Sequence, residues 1–286
     1  MIKTESQRKT LPLSQRLAGH LLLIIGGTSV AIFFAWTPEF NLVDALRAPQ
    51  LSLADPKWLL GGDAFGRPLI LLVPMAAAGS LGLGAFAATS TALLSLLFST
   101  LILLAIDHAQ TQNTRLTRWI ASSAQRTIDF FLAFPSLLFS LAFASILGPG
   151  WLTLMMALWV GHLPGLIRLL VLRGQEVRRQ EFWLCSEALG AGLFLRAFRH
   201  LTPALLELVF LKFPSLFASS LIAEATLSFL GMGAPIGRAT WGSLLAQGKD
   251  YLVEAPNIAL ATGIPLILTL WALMQNQWIE SARKGR

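Results

Sequence analysis

The residues of this 286-residue sequence that could do chemistry are few and scattered. His20, His108, His162 and His200 lie in different segments, and no Cys/His/carboxylate spacing of the kind that grips a metal accompanies them, so no metal site is expected. No Gly-x-x-x-x-Gly-Lys-Ser/Thr loop occurs, which leaves no cradle for a nucleotide by that route and no cofactor expected on this chain. A Ser/His hydrolase working inside a membrane needs both groups deep in the bilayer and mutually oriented. Only His162, in the middle of an apolar segment, is placed for such work, and a packed or water-cavity histidine is the plainer reading. The single cysteine, Cys185, excludes an internal disulfide.

Charged side chains inside apolar runs carry more information. They are Asp129, Arg168, Lys212 and Glu224. Such groups are expensive in lipid, so they are expected to face a bundle interior or a wet cavity. Lys212 and Glu224 are twelve positions apart on one segment, about 18 Å along a helix, so they cannot pair with each other. An ion-coupled carrier needs a tighter relay, which argues for energy supplied from outside the chain. An internal echo falls in the same two segments: Phe131–Leu137 and Phe210–Leu216 differ at one position of seven. Pro135 and Pro214 each remove a backbone bond and predict a kinked helix. Either the echo is chance in an apolar chain, or two bent helices flank a common pathway. The second reading makes Phe134, Pro135, His162, Lys212, Phe213, Pro214 and Glu224 its candidate lining.

The elements that must position these groups are membrane spans. Charged residues make up 13% of the chain and mean hydropathy is +0.64, against roughly 25% charged residues in a soluble domain. About 20 apolar residues cross a bilayer, and the sequence predicts about six spans: 17–36, 80–106, 127–147, 151–172, 203–230 and 256–278. The first is long for a signal peptide and no small-x-small cleavage site follows, so it reads as a retained helix. A short apolar piece, 68–78, is expected to lie along the membrane surface. The formal charge of +7 is distributed at span ends rather than gathered for nucleic acid. Lys3, Arg8, Lys9, Arg16, Arg115, Arg118, Arg126, Arg173, Arg178, Arg179, Arg196, Arg199, Arg283, Lys284 and Arg286 fall on one side; Arg47, Lys57, Arg67, Arg238 and Lys249 fall on the other. The positive-inside bias therefore puts both termini in the cytoplasm.

The largest cytoplasmic loop expected from this arrangement is 173–202. Within it Phe182, Trp183, Cys185, Ala188 and Leu189 recur at roughly helical spacing, Gly190 and Gly192 break the pattern, and a second short helix, 193–200, follows. A helix–Gly–helix unit with a basic collar fits a groove in a partner; a membrane-surface connector is the blander reading.

That loop resembles the coupling loop of ABC-importer permeases, whose pattern is Glu-Ala-Ala, three residues, Gly, then a downstream Leu-Pro. Gly190 matches the glycine and Pro203 the proline. Further motifs are similar to the second permease subunit of the dipeptide/oligopeptide/nickel class. They are Gly61-Gly62-Asp63-Ala64-Phe65-Gly66-Arg67, Asp129 to Ser136, Leu147 to Gly150, Glu224 to Gly233 and Trp241 to Ala246, in the family's order across residues 59–278.

The resemblance implies an all-α, type I ABC importer permease fold in a bacterial inner membrane. Its divisions would be an N-terminal helix and extracytoplasmic loop (1–78), a permease domain (79–278) and a basic tail (279–286). It implies a homologous permease partner, two cytoplasmic ATP-binding subunits that carry ATP and Mg²⁺, and an extracytoplasmic solute-binding protein. Glu181, Trp183, Leu184, Cys185, Ser186, Glu187, Gly190, Arg196 and Arg199 would form the ATPase-coupling loop. Gly62, Asp63, Gly66 and Arg67 would form the extracytoplasmic signature. Where the pattern has Glu-Ala-Ala this chain has Leu184-Cys185-Ser186; Glu181 or Glu187 stands in for the missing carboxylate, or packing by Trp183 and Leu184 dominates. The implied substrates are a peptide, nickel or a metal chelate, the Leu-x-Ser variant pointing to the chelate. With no His, Cys or Met cluster in the outer loops, a naked ion is disfavoured. The alternatives that the residues leave open are a stand-alone secondary transporter or channel, and an intramembrane enzyme.

Overall fold

A computed structural model describes residues 59–63, 65–112, 115–233 and 238–284. The expected span 17–36 and most of the polar stretch after it lie outside these residues. Everything described is helix, turn or loop, apart from an isolated bridge between Gly62 and Pro68.

Helix α1 runs Leu69–Gln112 without interruption. The expected surface piece 68–78 is therefore the first part of this long helix, and the boundary before residue 80 does not exist. Pro74 lies near the helix start, where one missing backbone bond is tolerable. Leu69, Leu72 and Ala76 are buried against Trp241, Leu244 and Ile258, so packing holds this turn in the bundle.

The expected span 127–147 is not one helix. Helix α2, Arg115–Ala133, and helix α3, Ser136–Leu147, meet at Phe134-Pro135. Pro135 has no N–H to give the preceding turn and disfavours the α conformation at Phe134. Its carbonyl instead accepts from Leu138 N at 3.0 Å and opens α3.

Helix α4, Trp151–Arg178, continues past the expected end at Leu172. Gly174 lies against Leu103 with no room for a side chain, and Val177 is buried, so contacts with α1 carry the helix through a charged stretch. Helix α5 is Glu181–Ala188. Helix α6, Leu193–Arg196, passes through a π turn, Ala197–Leu201, into α7, Thr202–Phe229. The separate short helix expected at 193–200 is thus fused to the span that follows. The π turn falls just before Pro203, where the helical ladder must be interrupted.

Helix α8, Trp241–Asp250, occupies the stretch between the last two spans. Thr240 and Ser243 cap it reciprocally, Ser243 N donating to Thr240 Oγ1 at 3.2 Å and Thr240 N to Ser243 Oγ at 2.9 Å. Helix α9, Asn257–Lys284, takes in residues 279–284 of the expected tail.

Helices α1, α4 and α7 pack on one another as the centre of the bundle, with α3 on α4, and α8 against both α7 and α9. Gly84 brings α1 under Leu221 and Phe217 of α7. Among the described residues, four helical stretches are long and apolar enough to cross a membrane: 69–108, 151–178, 193–229 and 257–274. Their outward faces include Phe86, Leu93, Leu97 and Leu101 on α1 and Leu260, Ile264, Ile267 and Trp271 on α9, as lipid contact requires.

Candidate functional site

At one end of the bundle, α5 and α6 form a bracket whose parts face opposite ways. Helix α5 closes on Gly190 at φ 79°, with Ala191 N donating to Ser186 O at 3.0 Å and Gly190 N to Glu187 O at 2.9 Å. This is a Schellman end, in which the left-handed residue is glycine because a Cβ there is strained. Trp183 is 2% exposed and Arg196 5%, so both anchor the bracket inward instead of reaching a partner. Leu184, Leu189, Phe194 and Phe198 are exposed and form the apolar outer surface. Glu181, Cys185 and Arg199 are exposed too, while Ser186 is half-buried and turns its hydroxyl back to Trp183 O at 2.8 Å.

Arg196 ties this bracket to the bundle. Its Nη1 is 2.9 Å from Glu187 Oε2 and its Nη2 3.5 Å from Asp107 Oδ2. Its guanidinium lies 5.0 Å from the Trp183 ring centre, a cation–π contact. Asp107, near the end of α1, also pairs with Arg178 at the end of α4. Helices α1 and α4 and the bracket therefore converge on one nearly dry carboxylate. Sequence reasoning did not single out Asp107 and used Arg178 only as a count of charge; the available signal was an acid closing a long apolar run.

Helix α7 carries Glu207, Lys212 and Glu224, of which the first two are exposed and the last is not. Glu224 is fully buried; Ser228 Oγ donates to its Oε1 at 2.8 Å, and the Ser80 and Thr240 hydroxyls face the same carboxylate. Ser80 Oγ also accepts from Trp241 N at 2.9 Å. Glu224 thus sits where α1, α7 and the start of α8 meet, inside this chain. Phe213 is buried, Pro214 half-buried and Lys212 exposed. Of the two surroundings expected for Lys212, a bundle interior or a wet cavity, the interior of this chain's own bundle is not the one it faces.

The two echoed segments part company. Pro135 breaks a helix, whereas Pro214 lies inside the uninterrupted α7. Phe134 and Pro135 are exposed, Phe134 stacking on Phe130 and Phe139 at 5.1 and 5.9 Å. His162 is half-buried and its Nδ1 meets Leu158 O of its own helix at 2.8 Å, so Nδ1 carries the proton when the ring is neutral. Asp129 and Arg168 are expected to face a bundle interior or a wet cavity. They pair at 3.0 Å on the surface of α2 and α4, with 62% and 57% of their side chains exposed; mutual neutralisation is what makes the position tolerable.

At the opposite end, Asp63 is fully buried and organises the turn into α1. Its Oδ1 accepts from Phe65 N at 3.0 Å and Arg67 N at 2.7 Å, and its Oδ2 from Arg67 Nε at 2.8 Å and Nη2 at 2.6 Å. Gly62 is buried beside it, and Gly66 N donates to Asp63 O at 3.0 Å. Asn257 Nδ2 donates to Leu60 O at 2.8 Å and staples the turn to α9. Among the described residues, no group of three or more His, Cys, Asp or Glu side chains is placed to hold a metal ion.

Residues 102–276 match the family described as binding-protein-dependent transport system inner membrane component. A putative peptide transport system permease protein of Brucella suis is 32% identical over 215 residues, 75% of this chain and 69% of the relative. A dipeptide transport system permease protein of Alkalihalophilus pseudofirmus is 27% identical over 250 residues, 87% and 79% of the two chains. A glutathione transport system permease protein of Salmonella paratyphi A is 26% identical over 260 residues, 88% and 82%.

Proposed function

Because this chain belongs to the binding-protein-dependent transport system inner membrane components, within the class of ABC peptide-importer permeases, we propose that it forms half of the path by which a peptide enters the cell. It is an inner-membrane subunit and not an enzyme; in this family ATP is hydrolysed on separate subunits. A homologous permease supplies the other half of the path, two ATP-binding subunits the drive, and a solute-binding protein the substrate.

The observation that carries the coupling role is the α5–Gly190–α6 bracket. It presents Leu184, Leu189, Phe194 and Phe198 outward while Trp183 and Arg196 hold it to α1 and α4. Apolar knobs on a rigidly seated helix pair suit a groove in an ATPase, and a push on them reaches the spans through Asp107. Of the two acids open to replace the missing coupling glutamate, Glu187 is engaged by Arg196, which leaves Glu181, exposed at the start of α5, for the partner. The charge distribution supports placing the bracket in the cytoplasm and the Asp63 turn outside.

A peptide is preferred to nickel or a metal chelate, because the similar proteins are peptide, dipeptide and glutathione permeases. The test is reconstitution of the chain with its partner permease, ATPases and binding protein in vesicles. ATP-dependent accumulation of a labelled dipeptide is expected. Accumulation by the purified chain alone, without nucleotide, would make it the stand-alone carrier instead.

A further inference from the structure

Helix α7 differs from the other apolar spans on one flank, between its core side and an outward side that exposes Phe210 and Ile222. Lys212, Ser215, Ser219 and Thr226 follow one another at intervals of three, four and seven residues, so they lie along one side of the helix. The adjoining side holds Leu205, Val209, Phe213 and Leu216 in the core, and the side away from it exposes Glu207, Phe210 and Ile222. Lys212 is exposed, and the three hydroxyl residues are half-buried. The outward faces of α1 and α9 are lined with leucine, isoleucine and aromatic residues; a lipid-facing stripe has no use for an ammonium group and three hydroxyls.

Lys212 lies ten residues into α7, about 15 Å along the helix from the end of the bracket. Its side chain cannot reach a headgroup from there. Among the described residues, no carboxylate lies within ion-pair distance of its ammonium group. The hydroxyls beyond it are already spent as donors: Ser219 Oγ bonds Leu216 O at 2.9 Å and Thr226 Oγ1 bonds Ile222 O at 2.7 Å. They turn acceptor lone pairs outward. The stripe thus offers one cation followed by acceptors. From Lys212 to Ser219 is about 10 Å along the helix axis, the reach of an extended di- or tripeptide.

We propose that this stripe lines the water-filled path and that Lys212 is a station for the substrate's carboxylate, with the Ser215 and Ser219 oxygens accepting from N–H groups further along the peptide. This rests on the peptide-importer reading and adds a specific contact to it.

Chemical rescue tests it. Cys185 is the only cysteine in the chain, so Lys212→Cys on a Cys185→Ser background places one thiol at the site. In the full reconstituted transporter this variant is expected to lose about tenfold or more of the dipeptide uptake of the Cys185→Ser parent, a charged hydrogen bond having been removed. Aminoethyl methanethiosulfonate, which rebuilds an ammonium group at the same reach, is expected to restore uptake. The sulfonatoethyl reagent is expected to modify the thiol without restoring it, and the Cys185→Ser parent is expected to respond to neither.

A thiol that neither reagent reaches during turnover would place Lys212 against lipid or a dry partner face and overturn the proposal. So would unchanged uptake in the variant, or equal rescue by the neutral methyl reagent. If the parent moves dipeptide and any of these results follows, only the Lys212 station falls. If the wild-type transporter moves no peptide, the station falls together with the reading beneath it.

Discussion

At the scale of single residues, Asp107 and Arg196 decide how the bracket is held. Asp107 faces two guanidiniums, Arg178 and Arg196, in a site where all three side chains are about nine-tenths buried. Removing one member of a buried ion pair costs about 3–5 kcal/mol, because its partner is left uncompensated. The members are unequal, however. Asp107→Ala takes a buried carboxylate from two cations at once and leaves Arg196 its half-exposed partner Glu187, whereas Arg196→Ala leaves Asp107 its bond to Arg178. Asp107→Ala is therefore expected to lower the thermal unfolding midpoint of the detergent-solubilised chain more than Arg196→Ala. Arg196→Ala is expected to act mainly on coupling: ATP hydrolysis by the complex continues while uptake falls, since α5 loses its tie to α1. Equal destabilisation by the two changes would mean that Asp107 is not the hub.

At the scale of elements, the turn between α5 and α6 and the break between α2 and α3 make separate predictions. The turn needs a left-handed residue at Gly190, and the space around it is open. Conformation, not bulk, sets what is allowed. Gly190→Asn is expected to keep transport coupled, because asparagine tolerates this conformation. Gly190→Val adds about 1–2 kcal/mol or more of backbone strain and is expected to uncouple hydrolysis from uptake. Full uptake by the valine variant would remove the coupling role from this turn.

The break at Phe134-Pro135 separates two helices, while α7 tolerates Pro214 without interruption. Pro135→Ala is therefore expected to let α2 and α3 join and to reduce uptake. Pro214→Ala is expected to change uptake less. Paired hydrolysis and uptake assays of the two variants distinguish them, and equal effects would mean that the echoed prolines share a role after all.

For the whole molecule, the charge asymmetry and the position of the bracket give one prediction. Cys185 is exposed on α5, at the end of the bundle proposed as cytoplasmic. A membrane-impermeant maleimide is expected to label it in inside-out vesicles and not in right-side-out ones, with reduced labelling once the ATPase subunits are bound. Labelling from the outer face would invert the topology and detach the bracket from any cytoplasmic motor.

Much of this architecture is legible in the residues themselves, since composition and the length of apolar runs report directly on the solvent that surrounds a chain. The bilayer setting, the helical class, the four spans found among the described residues and the family all follow from those averages and from short motifs in order. Element boundaries were less legible. The piece 68–78 reads as separate from the span after it and the charges of 173–178 read as a break, yet contacts with α8 and with α1 carry both helices through. Pro135 reads as a kink and becomes a full break.

Side-chain direction was the least legible. Trp183 and Arg196 read as contacts for a partner and turn inward; Lys212 and Glu224 sit on one helix and point to opposite surroundings. The physical reason is the same throughout. Hydropathy and charge act locally and sum along the chain, so the sequence alone determines that it lives in a membrane and where apolar runs lie. Which face of each helix is dry depends on what packs there from residues far away, and only the tertiary structure decides that.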